Sequence, residues 1–261
     1  MSFVPLVPLS GLAGWRFVQK THAAQLDRQA GSAEMARDTA YFRANIAKVE
    51  TAEDLVADRT LQKVALGAFG LQDDLNNKAF IRQILETAPG DRKGLANRLS
   101  DPRYKALNAA MGLDGALPPK TRRAGFASSI LEKYAAQSFE RAVGEVDEDM
   151  RLALAAKREL QDMASQPGND KTKWFRVMGQ PPLRRFFEVT LGLPRDFGKI
   201  DVDQQQTVLA DKTKAFGIDS FADFADLEKL DRLTDRFHLR AQIDIGAQMD
   251  RNQIALTLLG S

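Results

Sequence analysis

Four times in this chain a glycine stands between two large apolar residues: Phe69-Gly70-Leu71, Met111-Gly112-Leu113, Leu191-Gly192-Leu193 and Phe216-Gly217-Ile218. Each triplet follows a stretch whose apolar residues recur at three- and four-residue spacing. Such a triplet ends a helix in a Schellman motif: glycine takes the left-handed conformation at C′, where a Cβ would be strained, and the next apolar residue folds back on the last turn. Gly70, Gly112, Gly192 and Gly217 are therefore read as structural helix caps with positive φ. Gly67, in the stretch ALGAFGLQDD from Ala65 to Asp74, falls inside the preceding helix as a close-packing position.

Upstream of these stops a longer pattern repeats. Leu61, Val64, Phe69, Gly70 and Leu71 align without a gap on Leu183, Phe186, Leu191, Gly192 and Leu193, and Asp101-Pro-Arg-Tyr104 through Met111-Gly-Leu113 gives a shorter echo. No constellation of charges repeats with it, so the shared unit is one of packing. Tyr41, Phe42, Ile46 and Val49 make one apolar stripe, and Ile130, Tyr134 and Phe139 contribute to another. Asp58, Thr121, Asp147 and Ser220 each precede an apolar run and can accept from a free N–H of a first turn. The predicted fold is all-α and multihelical, with internal duplication of a helix plus its Gly-capped turn. The breaks Asp114-Gly-Ala-Leu-Pro-Pro119 and Ser165-Gln-Pro-Gly-Asn-Asp170 suggest an apolar arm at 1–20, a first repeat half at 21–118 and a second at 119–261, the halves able to share one core.

At 261 residues the chain can bury a core without staples, and it has no cysteine to make a disulfide, a thiolate nucleophile or a cysteine zinc site. Lys plus Arg number 37 against 35 Asp plus Glu, so the whole chain lacks the charge of a nucleic-acid binder. The charges are unevenly placed: seven basic against two acidic residues from Lys171 to Lys199, then eight acidic against three basic from Ile200 to Asp231. These are read as two faces that pair within the fold, or as a charged partner surface. No charged side chain precedes Arg16, and Pro5 and Pro8 interrupt an apolar run far shorter than the ~20 residues of a membrane span. The expectation is no membrane insertion and no general secretory signal. The extended arm from Phe3 to Leu9 either packs on its own domain, with Ser10 opening the first helix, or docks a partner or export machinery.

Chemistry finds little to build on. His22 and His238 are the only histidines, in no catalytic or metal-binding spacing, and are read as surface or capping groups. Asp73-Asp74, Asp147-Glu-Asp149 and Asp201-Val-Asp203 are the densest carboxylate groups, yet the last two sit where helices begin and the helix dipole accounts for them. Gly67 and Gly70 have no following Lys-Ser or Lys-Thr to make a P-loop, and Asp73 and Asp74 would repel phosphate. No catalytic residue, metal or cofactor is predicted. The basic block mixes Lys173, Trp174, Arg184 and Arg185, which keeps nucleic acid as a second reading, although Trp174, Phe175 and Met178 have core spacing.

Asp54-Leu-Val-Ala-Asp-Arg59, ALGAFGL, Asn77-Lys-Ala-Phe-Ile-Arg82 and Arg98-Leu-Ser-Asp-Pro-Arg-Tyr104 resemble a bacterial family of unknown function, seen chiefly in alphaproteobacteria. Arg151-Leu-Ala-Leu154 with Arg158-Glu-Leu160, Trp174 with Val177-Met-Gly179, Pro182-Leu-Arg184 and Leu191-Gly-Leu-Pro194 continue the likeness. The resemblance implies a duplicated multihelical fold and a frequent setting among flagellar genes, and it brings no catalytic residues. The resulting expectation is a non-enzymatic interaction or assembly factor, flagellum- or motility-associated, that is cytoplasmic or travels with the flagellar export apparatus. Protein partners, flagellar components among them, would be met by Phe3, Val4, Leu6 and Trp15 of the arm and by Lys173, Trp174, Arg184 and Arg185. The alternatives are a nucleic-acid-binding regulator of motility genes and, third, a carboxylate-metal enzyme.

Overall fold

The computed structural model describes residues 3–88, 90–115 and 118–259, with Arg195 and residues 244–259 described through their backbone alone. Every regular element among them is a helix. The chain divides into two compact units, Met1–Pro5 with Thr21–Ala142 and Leu6–Lys20 with Val143–Ser261. The first contains the second half of α1 (Gly11–Ala30), then α2 (Ala33–Asn45), α3 (Ala52–Ala57), α4 (Arg59–Gly67), α5 (Lys78–Leu85), α6 (Leu95–Arg98), α7 (Pro102–Met111) and most of α8 (Phe126–Gly144). The second contains the first half of α1 with α9 (Glu148–Ser165), α10 (Asp170–Met178), α11 (Pro181–Leu191), α12 (Val202–Thr213) and α13 (Leu227–Leu259).

Side-chain caps start many of these helices. Asp58 accepts from Thr60 and Leu61, Asp147 from Met150, Asn169 from Thr172 and Asp201 from Asp203 and Gln204, while Thr51 with Asp54 closes a capping box. Each such cap contributes about 1 kcal/mol. Ser220 closes a second box over the short 3₁₀ turn Phe221–Ala225. Thr121 does otherwise than expected. It lies inside the 3₁₀ turn Lys120–Arg122, and its buried hydroxyl donates to the Val49 carbonyl at 2.7 Å.

That bond also bears on the division of the chain. The unit boundary falls between Ala142 and Val143 rather than at 118–119, because Thr121 is tied to Val49 and Ile130, Leu131 and Tyr134 lie in the core that holds Phe42, Val64 and Ile81. Ala116 and Leu117 of the expected break are outside the described residues. Of the stripe Tyr41, Phe42, Ile46 and Val49, the last three are buried, but Tyr41 is exposed and its hydroxyl donates to Asp58 Oδ2 at 2.6 Å. One helical step of about 100° carries it off the face that Phe42 occupies.

In the first unit α2 packs on α4, α3 on α4 and α5, and α5 on α6 and α7. In the second, α9 packs on α11, α10 on α11 and α12, and α11 on α13. The neighbour pairs α2/α4, α3/α4 and α3/α5 thus have counterparts in α9/α11, α10/α11 and α10/α12. In both, the third helix of the series ends at a glycine and leads into a 3₁₀ turn, Gln72–Asp74 or Arg195–Lys199.

The four capping glycines have φ of +68° (Gly70), +57° (Gly112), +62° (Gly192) and +75° (Gly217). At Gly70, Leu71 N–H reaches Leu66 O and Gly70 N–H reaches Gly67 O, the paired bonds of a Schellman motif. Leu193 and Gly192 bond Glu188 and Val189 in the same way, as do Ile218 and Gly217 with Thr213 and Lys214. Gly112 donates to Asn108 O, the bond of the simpler left-handed cap.

Candidate functional site

The glycine-rich stretch is a tertiary joint. A Cβ on Gly67 would come within 2.7 Å of the Tyr134 ring, so α4 and α8 meet there at close range. Tyr134 donates to Asp38 Oδ2 at 3.2 Å, and Lys63 Nζ lies 2.7 Å from both Asp38 and Glu34. Burial pushes the Tyr134 phenol up to about 12. Burial alone would lower the Lys63 ammonium, but its hydrogen bonds to Asp38 and Glu34 hold it above its ordinary value. A lysine so held is a cation and no nucleophile.

Each of the four glycine caps has a cation beside it. Arg103, gripped by Asp101, donates from Nη1 to the Gly70 carbonyl at 2.6 Å. Lys120 donates to Ala109 O at 2.6 Å, with its methylenes against Gly112. The Arg240 guanidinium lies 3.0 Å from where a Gly192 Cβ would be, and Arg232 and Lys229 approach Gly217 at 3.8 Å. Positive charge at a helix C-terminus is favoured by the exposed carbonyls and the dipole. These ends therefore select cations from the chain itself, and the stretch that resembles a phosphate loop binds Arg103.

The carboxylates of the sequence clusters have internal partners. Asp74 accepts from Tyr104 and Asn77, Asp147 and Asp201 cap helices, and Glu148 pairs with Arg151. Burial raises Asp149, against the opposing pull of Arg185, and Asp203 pairs with Lys171 at 2.8 Å. No cluster with metal-holding composition occurs among the described residues. A groove of about 270 Å³ between α3 and α5 is lined by Glu53, Val56, Ala57, Lys78, Ala79 and Arg82. Arg82 is already held there by Glu53 at 2.8 Å.

His238 departs from the expectation for a surface histidine. It is 1% exposed, neither ring nitrogen has a partner, and its ring lies 4.9 Å from that of Trp15, whose Nε1 is also unpartnered. Burial pushes the imidazole down to about 4. It is a neutral core ring at ordinary pH. His22 lies edge-on to Phe139 at 5.0 Å.

The expected partner contacts divide sharply by burial. Trp15, Lys173 and Trp174 are 0%, 6% and 4% exposed, which corrects their reading as surface contacts. Trp174 meets Phe187, Phe221 and Phe224 edge-on, and Lys173 lies over the Phe221 ring, so core packing uses them. Arg184 is bound to Glu188 at 2.8 Å and to Gln205, while Arg185 is exposed with Asp149 at 3.8 Å. A basic block neutralised in this way offers few free cations to phosphate. In the arm, Phe3 is half-buried with its ring 6.1 Å from Phe139, and Pro5 is buried. Val4, Leu6 and Leu9 are exposed.

A surface on the second unit went unrecognised in the sequence. Leu230, Leu233, Phe237 and Ala241 bury one face of α13, and Leu239 and Ile243 stand on the opposite face, 44% and 62% exposed. The Gln242 side chain packs on Gly11, which sets the end of the arm, with exposed Leu9, beside this part of α13. Single exposed leucines are ordinary, whereas a cluster marks an interaction surface. The available signal was a pair of aliphatic residues four apart and out of phase with the buried stripe.

A family model described as "Protein of unknown function (DUF1217)" matches residues 68–230. The chain belongs to this family. The matched segment holds all four glycine caps and the basic block, while the arm and the Leu239–Ile243 face lie outside it. A crystal structure of a protein from Agrobacterium tumefaciens is similar at 27% identity and a TM-score of 0.72, over 92% of this chain and 99% of that one. No curated protein matches. No helix among the described residues is long and apolar enough to cross a membrane.

Proposed function

We propose that this chain is a non-enzymatic protein-interaction or assembly factor, associated with the flagellum or motility, that docks a partner through the outward face of α13 and the adjoining end of the arm. The observation that carries the docking is the exposure of Leu239 and Ile243 opposite the buried face of α13, where Gln242 packs on Gly11 at the end of the arm. Apolar area of this kind gains free energy when a partner removes it from water. The motility setting is supported by the family resemblance described above, with its frequent position among flagellar genes. On this reading the protein acts in the cytoplasm or alongside the export apparatus, and α9 and α11 of the second unit, on which α13 packs, support the docking face.

The test is a tagged protein recovered from motile cells, paired with a swimming assay of a deletion strain complemented by wild type or by the combined Leu9→Ser, Leu239→Ser and Ile243→Ser variant. Loss of a co-purifying flagellar component and of swimming in the variant, at unchanged melting temperature, is the expected result. Normal swimming of the deletion strain, or full recovery of the component by the variant, would overturn it.

A further inference from the structure

The face that carries Leu239 and Ile243 is also charged. At 100° per residue, Arg232, Arg236, Leu239 and Ile243 share one stripe of α13. Arg232 and Arg236 are exposed, and neither has an ion pair or hydrogen bond among the described residues, although Arg232 lies near Gly217. This differs from other cations of the second unit, since Lys157, Lys171, Lys199 and Lys214 are all held by carboxylates at 2.5–2.8 Å. Of the acids next to them in sequence, Asp231 is taken by Lys157 at 2.5 Å and Asp235 by Arg16 at 3.0 Å, and Arg240 sits over the Gly192 cap. Glu228, exposed one turn before Arg232, bounds the basic part of the stripe on its N-terminal side.

We infer that the segment seated on this face is an amphipathic helix of a protein partner, with acidic side chains flanking its apolar stripe. The inference rests on the docking reading above and adds the partner's chemistry. From Arg232 to Ile243 the stripe runs about 16 Å, the length of three helical turns. A helix laid along it meets Leu239 and Ile243 with its own apolar residues at i, i+3 and i+4, and brings one flank to the two arginines. A segment added as a β-strand would need a sheet edge to bond its backbone, and α13 has none to give. Carboxylates on the flank supply the charge that these arginines lack internally, and this pairing weakens with salt.

The experiment uses the full-length protein and two labelled synthetic helical peptides that share one leucine stripe and differ only in glutamate or lysine flanks, with binding read by fluorescence anisotropy. The glutamate peptide is expected to bind about tenfold more tightly than the lysine peptide at low salt, with the difference shrinking as salt rises. Arg236→Glu should reverse the preference, and Ile243→Asp should abolish binding of both, each with unchanged circular dichroism. Equal affinity for the two peptides, or binding of neither, overturns the acidic-helix assignment. So does a dimer in sedimentation that Ile243→Asp dissociates, because a second copy would then occupy the face. If partner recovery from cells depends on Leu239 and Ile243 but is indifferent to Arg236→Glu, this inference fails while the docking reading stands.

Discussion

The two units use similar neighbour pairs to enclose different interiors. In the first, Phe42, Ile46, Leu55, Leu66 and Ile81 are among the most deeply buried large side chains, and most are aliphatic. In the second, Trp15, Phe186, Phe187, Phe221, Phe224 and Phe237 take that place, and their rings join in sequence from Trp15 through His238, Phe237, Phe186 and Phe187 to Trp174. Similar pairs of helices are thus compatible with quite different side chains, provided volume and patterning are kept. The difference shows in the polar atoms that come with the rings. Buried Asn108 in the first unit spends its amide on the carbonyls of Ile84, Leu85 and Thr87, whereas Trp15 Nε1 and both nitrogens of His238 in the second find no partner. Gln62 is the comparable cost in the first unit, and it cannot titrate.

Large-to-small substitution should separate the units most. Trp174→Ala removes edge contacts with three rings and is expected to cost about 3–5 kcal/mol. Hydrogen exchange should rise first in the second unit, while Ile81→Ala should do the reverse. Uniform loss of protection in both variants would break the distinction.

Acid should come next. The unfolded imidazole takes up a proton near 6.5, while folded His238 does so only near 4. Its contribution is therefore complete above pH 6.5 and lost as pH falls toward 4, by about 3 kcal/mol at the lower limit. Denaturant melts of His238→Leu should lose this dependence, with exchange protection in the first unit much less affected. Equal acid sensitivity in the wild type and the variant would remove His238 from the account.

Smaller effects sharpen the parallel between the units. Gly70→Ala and Gly192→Ala each force a Cβ into the left-handed region, at about 1–2 kcal/mol apiece by denaturant melts. Clearly unequal losses would show that Arg103 and Arg240 adapt differently to the added carbon. Leu239→Ser should change stability by less than about 0.5 kcal/mol, since the side chain is solvent-facing. A large drop would mean that this face of α13 is covered within the protein itself.

Much of this was legible in local chemistry. Glycine between apolar residues at the end of a 3.6-period run has few readings other than a helix stop, and Asp58, Asp147 and Asp201 announce their helices through first-turn N–H groups. The helical class follows from such signals. The unit boundary did not, because a Pro pair marks where a helix stops but says nothing about which core the next helix enters. Trp15 and Trp174 were ambiguous for a related reason, since a large ring with helical spacing serves a core or a surface equally well, and only tertiary burial decides. Leu239 and Ile243 were hidden among the apolar residues that α13 buries on its other side.

The passage of residues 6–20 into the second unit, while residues 21–142 belong to the first, has a consequence for heredity. A recombination event with a single breakpoint anywhere between codons 21 and 142 inherits Trp15 from one parent and His238 from the other, so the two must suit each other across lineages. Only a double exchange can hand on the second unit intact.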